Sequence, residues 1–206
     1  MGDACCSGTV ELRALQARQR RVLMVVLAIN LATFAMMLVA AVVSGASSLL
    51  SGSLDNLGDA LTYLLSLAVI GANANAKARV ALFKGVLILG AAVAVGVQIA
   101  WRLQNPDVPL VGTFGLAAMA NLVMNSLCLW LLSPYRHGDI NMASAWECSR
   151  NDVYEGLAVL LAVAGVWAFG AGWPDLAVAI GLLVLFLRSA LRVLRSAWRE
   201  LKAPLS

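Results

Sequence analysis

Val22–Ala46 reads VLMVVLAINLATFAMMLVAAVVSGA, twenty-five residues without a charged side chain. A helix needs about 20 apolar residues to cross the hydrocarbon layer of a bilayer, and a soluble core of a chain this size has no use for so long a run. In lipid every backbone amide must be satisfied within the segment, so such a run is a helix. A transmembrane β-barrel would instead show short segments of alternating polarity, and the sequence has none. Of the 206 residues, 61% are hydrophobic and only 13% charged, against roughly a quarter charged in a soluble domain. The expectation is an all-α integral membrane protein, a six-transmembrane-helix bundle.

The other spans follow outward from the first. A Gly/Ser-rich turn, Ser44 to Ser48, leads into span two at about 49–72. A polar and basic link, Asn73 to Arg79, precedes span three at about 81–101. Pro106 and Pro109 break helix and make Leu103 to Pro109 a loop before span four at about 110–132. The loop Pro134 to Asp139 precedes span five at about 144–169, and Gly170 to Pro174 is a tight turn with Trp173 at interface depth before span six at about 175–194. The organisation expected is a basic cytoplasmic leader at 1–21, a six-span membrane domain at 22–196 and a short cytoplasmic tail at 197–206. Neither flank is long enough to bury a core. The leader carries Arg13, Arg18, Arg20 and Arg21, and the apolar run after it is too long for a signal peptide. Met1-Gly2 suggests myristoylation, but Cys6 stands where that motif wants Ser or Thr.

The basic residues orient the chain. Of the 15 Lys and Arg, Arg102 falls in an odd-numbered loop, Arg150 inside span five and Lys84 at the start of span three, while the other twelve lie in the leader, the even-numbered links and the C-terminal tail or its flank. Cytoplasmic segments collect Lys and Arg, so both termini are expected in the cytoplasm. The net charge of +4 is this membrane signature and gives no reason to invoke nucleic acid.

An ionisable residue within a span costs a few kcal/mol and marks function by default. Asp55 and Asp59 in span two are four apart, hence one turn apart on one helix face. Cys148 and Asp152 in span five share that spacing. If the two helices pack side by side, three carboxylates and one thiol converge, and four ligands suit a tetrahedral divalent metal. The cation would supply the counter-charge that keeps carboxylates ionised at that depth. Two other readings use the same residues: a proton relay without metal, and a structural pair of Asp152 with Arg150. Cys148 by itself is either a ligand or a small apolar filler.

Ser51-Gly52-Ser53-Leu54-Asp55-Asn56-Leu57-Gly58-Asp59 resembles the second span of the cation diffusion facilitator family, which carries His-x-x-x-Asp or Asp-x-x-x-Asp. Cys148-Ser149-Arg150-Asn151-Asp152 resembles its fifth span, which usually carries His-x-x-x-Asp. The likeness spans roughly residues 20–196. It implies export of a divalent metal, usually zinc, from the cytoplasm in exchange for protons, and a homodimer in the cell (inner) membrane. The metal is then substrate, and no resident cofactor is implied. Asp55, Asp59 and Asp152 carry over as ligands. Cys148 replaces the usual His, and a thiolate is softer than imidazole, favouring Zn²⁺ or Cd²⁺ over Mn²⁺. Typical members continue into a cytoplasmic ferredoxin-like domain, and this chain resembles the short form without it. A different class of function, a membrane-embedded metal sensor or accessory subunit without transport, uses the same ligands. An intramembrane enzyme has little support: the sequence has no metalloprotease helix motif and a single histidine, His137.

Smaller signals complete the reading. Cys5 and Cys6 sit in a reducing compartment, where a disulfide does not persist; they are either a soft-metal capture site or incidental thiols. Cys128 is read as packing and His137 as an exposed loop residue. Glu155 lies three residues past Asp152, where it joins a proton path or pairs with Arg150. Asp175 is read as the N-terminal cap of its own helix. Asn30, Asn121 and Asn125 are read as interhelical hydrogen-bond partners. Gly85, Gly90, Ala94 and Gly96 in span three allow close helix approach, within one protomer or between two.

Overall fold

A computed structural model describes residues 3–68, 74–137 and 140–202. Six α-helices follow one another: α1 (Asp3–Ser44), α2 (Ser47–Ala68), α3 (Ala74–Gln104), α4 (Val111–Leu132), α5 (Ile140–Phe169) and α6 (Trp173–Lys202), with one 3₁₀ turn at Ser133–Tyr135. Among the described residues there is no strand. The six-helix bundle expected from hydropathy is the fold observed.

Glycine ends two of these helices. Gly45 and Gly170 have φ of +73° and +59°, and their N–H groups bond Ala41 O and Val166 O, each at 2.9 Å. This is the left-handed C-cap that glycine adopts without a Cβ penalty. Several helices run past the spans read from hydropathy. α1 starts at Asp3, so the leader from that residue onward continues the first span as helix; α3 takes in most of the basic link; α6 extends to Lys202. The reason is local propensity. Those flanks are rich in Ala, Leu, Gln, Arg and Lys, all strong helix formers, and hydropathy marks where the bilayer ends rather than where the helix does. The side chains of Cys5, Cys6, Lys77 and Arg79 lie outside the described residues.

The packing is that of a protein dissolved in lipid. Val42, Leu116, Leu161 and Trp167 are each more than 70% exposed, while Asn30, Ser51, Asn56, Asn121 and Asn125 are buried. Apolar side chains outside and polar ones inside is the arrangement that hydrocarbon requires and water would penalise. Among the described residues, four helices contain segments long and apolar enough to cross a membrane: Ala17–Ser44, Gly85–Gln104, Val111–Tyr135 and Ala145–Phe169. α2 is more polar, carrying Ser47, Ser48, Ser51, Ser53, Asp55, Asn56 and Asp59. It packs against every other helix of the bundle, so little of it needs to meet lipid. α3 leans chiefly on α6. A Cβ at Gly85 would come within 2.5 Å of Leu194, whereas Gly90 has open space beside it and Ala94 is exposed. Part of the small-residue stripe therefore serves packing inside the protomer.

One end of the bundle is tied together by polar bonds. The Leu110 N–H reaches Ser44 O at 2.9 Å. Buried Arg102 donates to Gly45 O, and its other amino group lies 3.6 Å from the Asp107 carboxylate. Asp175 does not cap its own helix. From the first turn of α6 its carboxylate accepts the N–H groups of Ser47 and Ser48 at 2.7 and 2.9 Å and the Ser48 hydroxyl at 2.5 Å. It thus caps the N-terminus of α2, a sequence separation that no local motif reveals. Ser51 strengthens the same seam by donating to Ala179 O at 3.2 Å. Exposed Trp101, Trp167 and Trp173 ring this end, the interfacial belt expected of amphipathic rings. Because Asp175 is 2% exposed, Asp175→Ala leaves three donors unpaired. The expected cost is about 2 kcal/mol of stability, read as a lower thermal unfolding midpoint in detergent, with Asp175→Asn intermediate. An unchanged midpoint would show that the cap is dispensable.

Asn30 and Asn121 part company. Asn121 Oδ1 accepts Asn56 Nδ2 at 3.0 Å, joining α4 to α2, as expected of an interhelical partner. Asn30 instead donates to Val26 O within its own helix at 3.0 Å.

Candidate metal centre

α2 and α5 pack directly on one another, and the paired acidic positions of the two helices meet at that seam. Donor oxygens of Asp55, Asp59 and Asp152 all lie within 4.8 Å of one another. The four-residue step places Asp55 and Asp59 on one face of α2, and Asp152 arrives from the facing helix. Asp59 and Asp152 are buried, at 8% and 5% exposure, and Asp55 is half-buried. Asp152 Oδ2 is enclosed without a hydrogen-bond partner among the described residues, an arrangement costly for a carboxylate unless a cation comes to it.

The aspartates border a cavity of about 410 Å³ between α2, α5 and α6. Cys148, Asn151, Tyr154 and Glu155 line it from α5, and Leu185 and Phe186 from α6. Cys148 is half-buried and reduced. It faces the same cavity as the three aspartates but stands beside their close group. The structure therefore brings together three of the four residues singled out by spacing and places the fourth on the same wall. Arg150, the nearby cation, lies over the Trp146 ring at 5.2 Å, and among the described ion pairs it makes none with Asp152. Glu155 lines the cavity one turn beyond Asp152.

Tyr63 belongs to the site and was not read from the sequence. Its hydroxyl donates to Asp59 Oδ2 at 3.1 Å and lies 3.5 Å from Ala145 O on α5. At 2% exposure it orients that carboxylate, as hydrogen-bonded neighbours orient ligands elsewhere. The signal was present as a second four-residue step, Asp59 to Tyr63, hidden because a tyrosine in a span reads as packing. Cys128 is fully buried in a cluster with Val26, Tyr63, Leu132, Met142 and Ala145, as expected of packing. His137 is exposed in the turn after Tyr135, its Nε2 accepting from Arg136 Nε at 3.0 Å.

A membrane bundle that converges carboxylates from two helices on an interior cavity is the architecture of a cation-handling membrane protein. The chain matches the model of the cation efflux transmembrane domain over residues 23–202, and it belongs to that family. Members are membrane transporters that move divalent metal cations outward, not enzymes. Among curated proteins, no individual sequence matched the chain.

Proposed function

We propose that this protein exports a divalent metal from the cytoplasm in exchange for protons, zinc first and cadmium also, and that Asp55, Asp59, Cys148 and Asp152 form the ligand set. The observation that carries the reading is the approach of three carboxylates from two helices to within 4.8 Å, with Cys148 on the same cavity wall. Three oxygens and one sulfur make a four-ligand set suited to Zn²⁺. The distribution of Lys and Arg supports cytoplasmic termini, and the family's usual place supports the cell (inner) membrane. On that assignment the end tied by Arg102, Asp175 and Leu110 faces outward and is closed.

The test is metal-dependent proton flux in proteoliposomes, run with Zn²⁺, Cd²⁺, Co²⁺, Mn²⁺ and Hg²⁺. The same preparation separates transport from its alternative, a sensor that binds metal without moving it, since a sensor gives binding without flux. The sign of the pH effect follows from ligand chemistry. Carboxylate and thiol must lose protons before they hold metal, so affinity weakens as pH falls toward their titration range. Metal binding that is equal at acid and neutral pH would count against proton exchange. The homodimer implied by the family is assigned to the Gly90 and Ala94 side of α3, and the mass of active protein in nanodiscs decides it.

A further inference from the structure

One stripe of α6 is turned away from the bundle. Gly181, Val184, Arg188, Leu191, Arg195 and Trp198 follow at alternating steps of three and four residues and are all exposed, a spacing that keeps them on one helix face. Gly181 and Val184 are what a lipid-facing surface calls for. Beyond them the same stripe changes character, with two arginines alternating with Leu191 and Trp198.

α3 shows how deep these arginines lie. A Cβ at Gly85 would meet Leu194, and one at Gly96 would meet Leu183, so α3 and α6 run antiparallel and in step. Arg188 precedes Leu194 by two helical turns and therefore stands level with Ala91, about 9 Å inside the apolar segment Gly85–Gln104. Arg195 stands at the end of that segment. Among the described ion pairs neither arginine takes part.

A guanidinium exposed on the lipid side at the depth of Arg188 is costly unless its long side chain snorkels to the headgroup layer. There a phospholipid offers acceptors at two levels, the phosphate oxygens and, nearer the hydrocarbon, the ester carbonyls. The two arginines are likewise at two levels, about 10 Å apart along the helix axis. Phosphate oxygens suit the planar fork of a guanidinium. Depth excludes an acidic soluble protein, which cannot reach a side chain level with Ala91. Charge then chooses the lipid. From Arg188 to Lys202 the sequence carries five basic residues and a single acidic one, Glu200, which together attract a headgroup of net negative charge and repel the amine of a zwitterionic one.

We propose that this outward face of α6 binds one anionic phospholipid, with Arg195 on its phosphate, Arg188 on the oxygens beneath, Leu191 against an acyl chain and Trp198 at headgroup level. The bound lipid compensates the charge of Arg188 at its depth and fixes this end of α6 in the leaflet. The site is separate from the metal centre and does not depend on what that centre carries.

The test is native mass spectrometry of the purified full chain in a neutral detergent, titrated with dioctanoyl phosphatidylglycerol, dioctanoyl phosphatidylcholine or inorganic phosphate. Saturable binding of one phosphatidylglycerol per chain is expected, at least about tenfold tighter than phosphatidylcholine and not displaced by phosphate. Arg188→Gln with Arg195→Gln should weaken it at least about tenfold, the usual scale for losing charge-assisted hydrogen bonds. Arg18→Gln with Arg21→Gln removes the same charge from exposed positions of α1 and should bind phosphatidylglycerol like the parent. Equal affinity for the two lipids overturns the proposal, as does parental binding in the α6 pair. An equal loss in the α1 pair would reduce the effect to diffuse charge, and displacement by phosphate would make this a free-anion site; either result rejects the lipid site. Should the glutamine pair in α6 fail to fold, Arg188→Leu with Arg195→Leu, suited to a lipid-facing surface, takes its place with the same expectation.

Discussion

Asp152→Ala is expected to abolish transport of Zn²⁺ and Cd²⁺ alike while leaving the protein as stable as its parent or more so. The two halves of that result come from one physical fact. Asp152 is 5% exposed, one of its oxygens has no hydrogen-bond partner among the described residues, and its neighbours at the seam are two further carboxylates. Holding an ionisable group there costs a few kcal/mol, so its removal relieves the fold. It also removes the contribution of α5 to the close group, and loss of a direct ligand should exceed the roughly 10–100-fold that loss of an outer-shell partner costs in metal affinity. A residue kept at the expense of stability is the mark of a functional site. The competing account makes Asp152 a structural partner of Arg150. It predicts the reverse, a marked fall in stability, because Arg150 would be left with an uncompensated charge. Flux in proteoliposomes, read beside the thermal unfolding midpoint for Asp152→Ala and Asp152→Asn, decides between them. A destabilised Asp152→Ala that still transports would reject the assignment of Asp152 as a ligand.

Cys148 carries the second large effect, this time on selectivity. It lines the cavity beside the three aspartates and is half-buried and reduced, on the wall where the proposed ligand set calls for a thiolate. Were its thiolate the fourth ligand, as proposed, the site would be softer than one built with imidazole and would favour Cd²⁺ and Zn²⁺ over Mn²⁺. Cys148→Ser should lower Cd²⁺ transport by about tenfold or more and Zn²⁺ transport less, since hydroxyl is a poor ligand for a soft ion. Cys148→His should restore zinc transport and reduce the preference for cadmium. If Cys148 is only filler, Cys148→Ala is silent. An unchanged Cd²⁺/Zn²⁺ transport ratio at unchanged rates in both Cys148→Ala and Cys148→Ser would remove Cys148 from the site and leave the aspartates alone.

Much of the site was legible because its signal is local. Asp55 with Asp59, and Cys148 with Asp152, repeat at four residues, and helix geometry alone stacks such pairs on one face. Tyr63 follows Asp59 at the same step but was hidden by its residue type, since an aromatic ring in a span is normally a packing group. Asp175 was read correctly as a cap and assigned to the wrong helix. A cap is recognised by the residue that follows it, whereas the donors here, Ser47 and Ser48, lie more than a hundred residues away. Asn30 and Asn121 look alike in sequence. One turned inward to its own helix and the other bridged to α2, according to which neighbour faced each.

The sequence by itself determined that this chain lives in a bilayer, that it makes six helices, and which two carry the candidate ligands spaced at four residues. Each follows from quantities that act along the chain: the thickness of hydrocarbon, the demand of every amide for a partner, and the pitch of the helix. Only the tertiary structure decided that α2 touches all five other helices, that its acidic face meets that of α5, and that Cys148 stands beside the aspartates rather than among them. The rotation of a helix about its own axis and its choice of neighbour are set by packing between residues far apart in sequence. Between helices in lipid, where the hydrophobic effect gives no direction, close packing and buried hydrogen bonds make that choice.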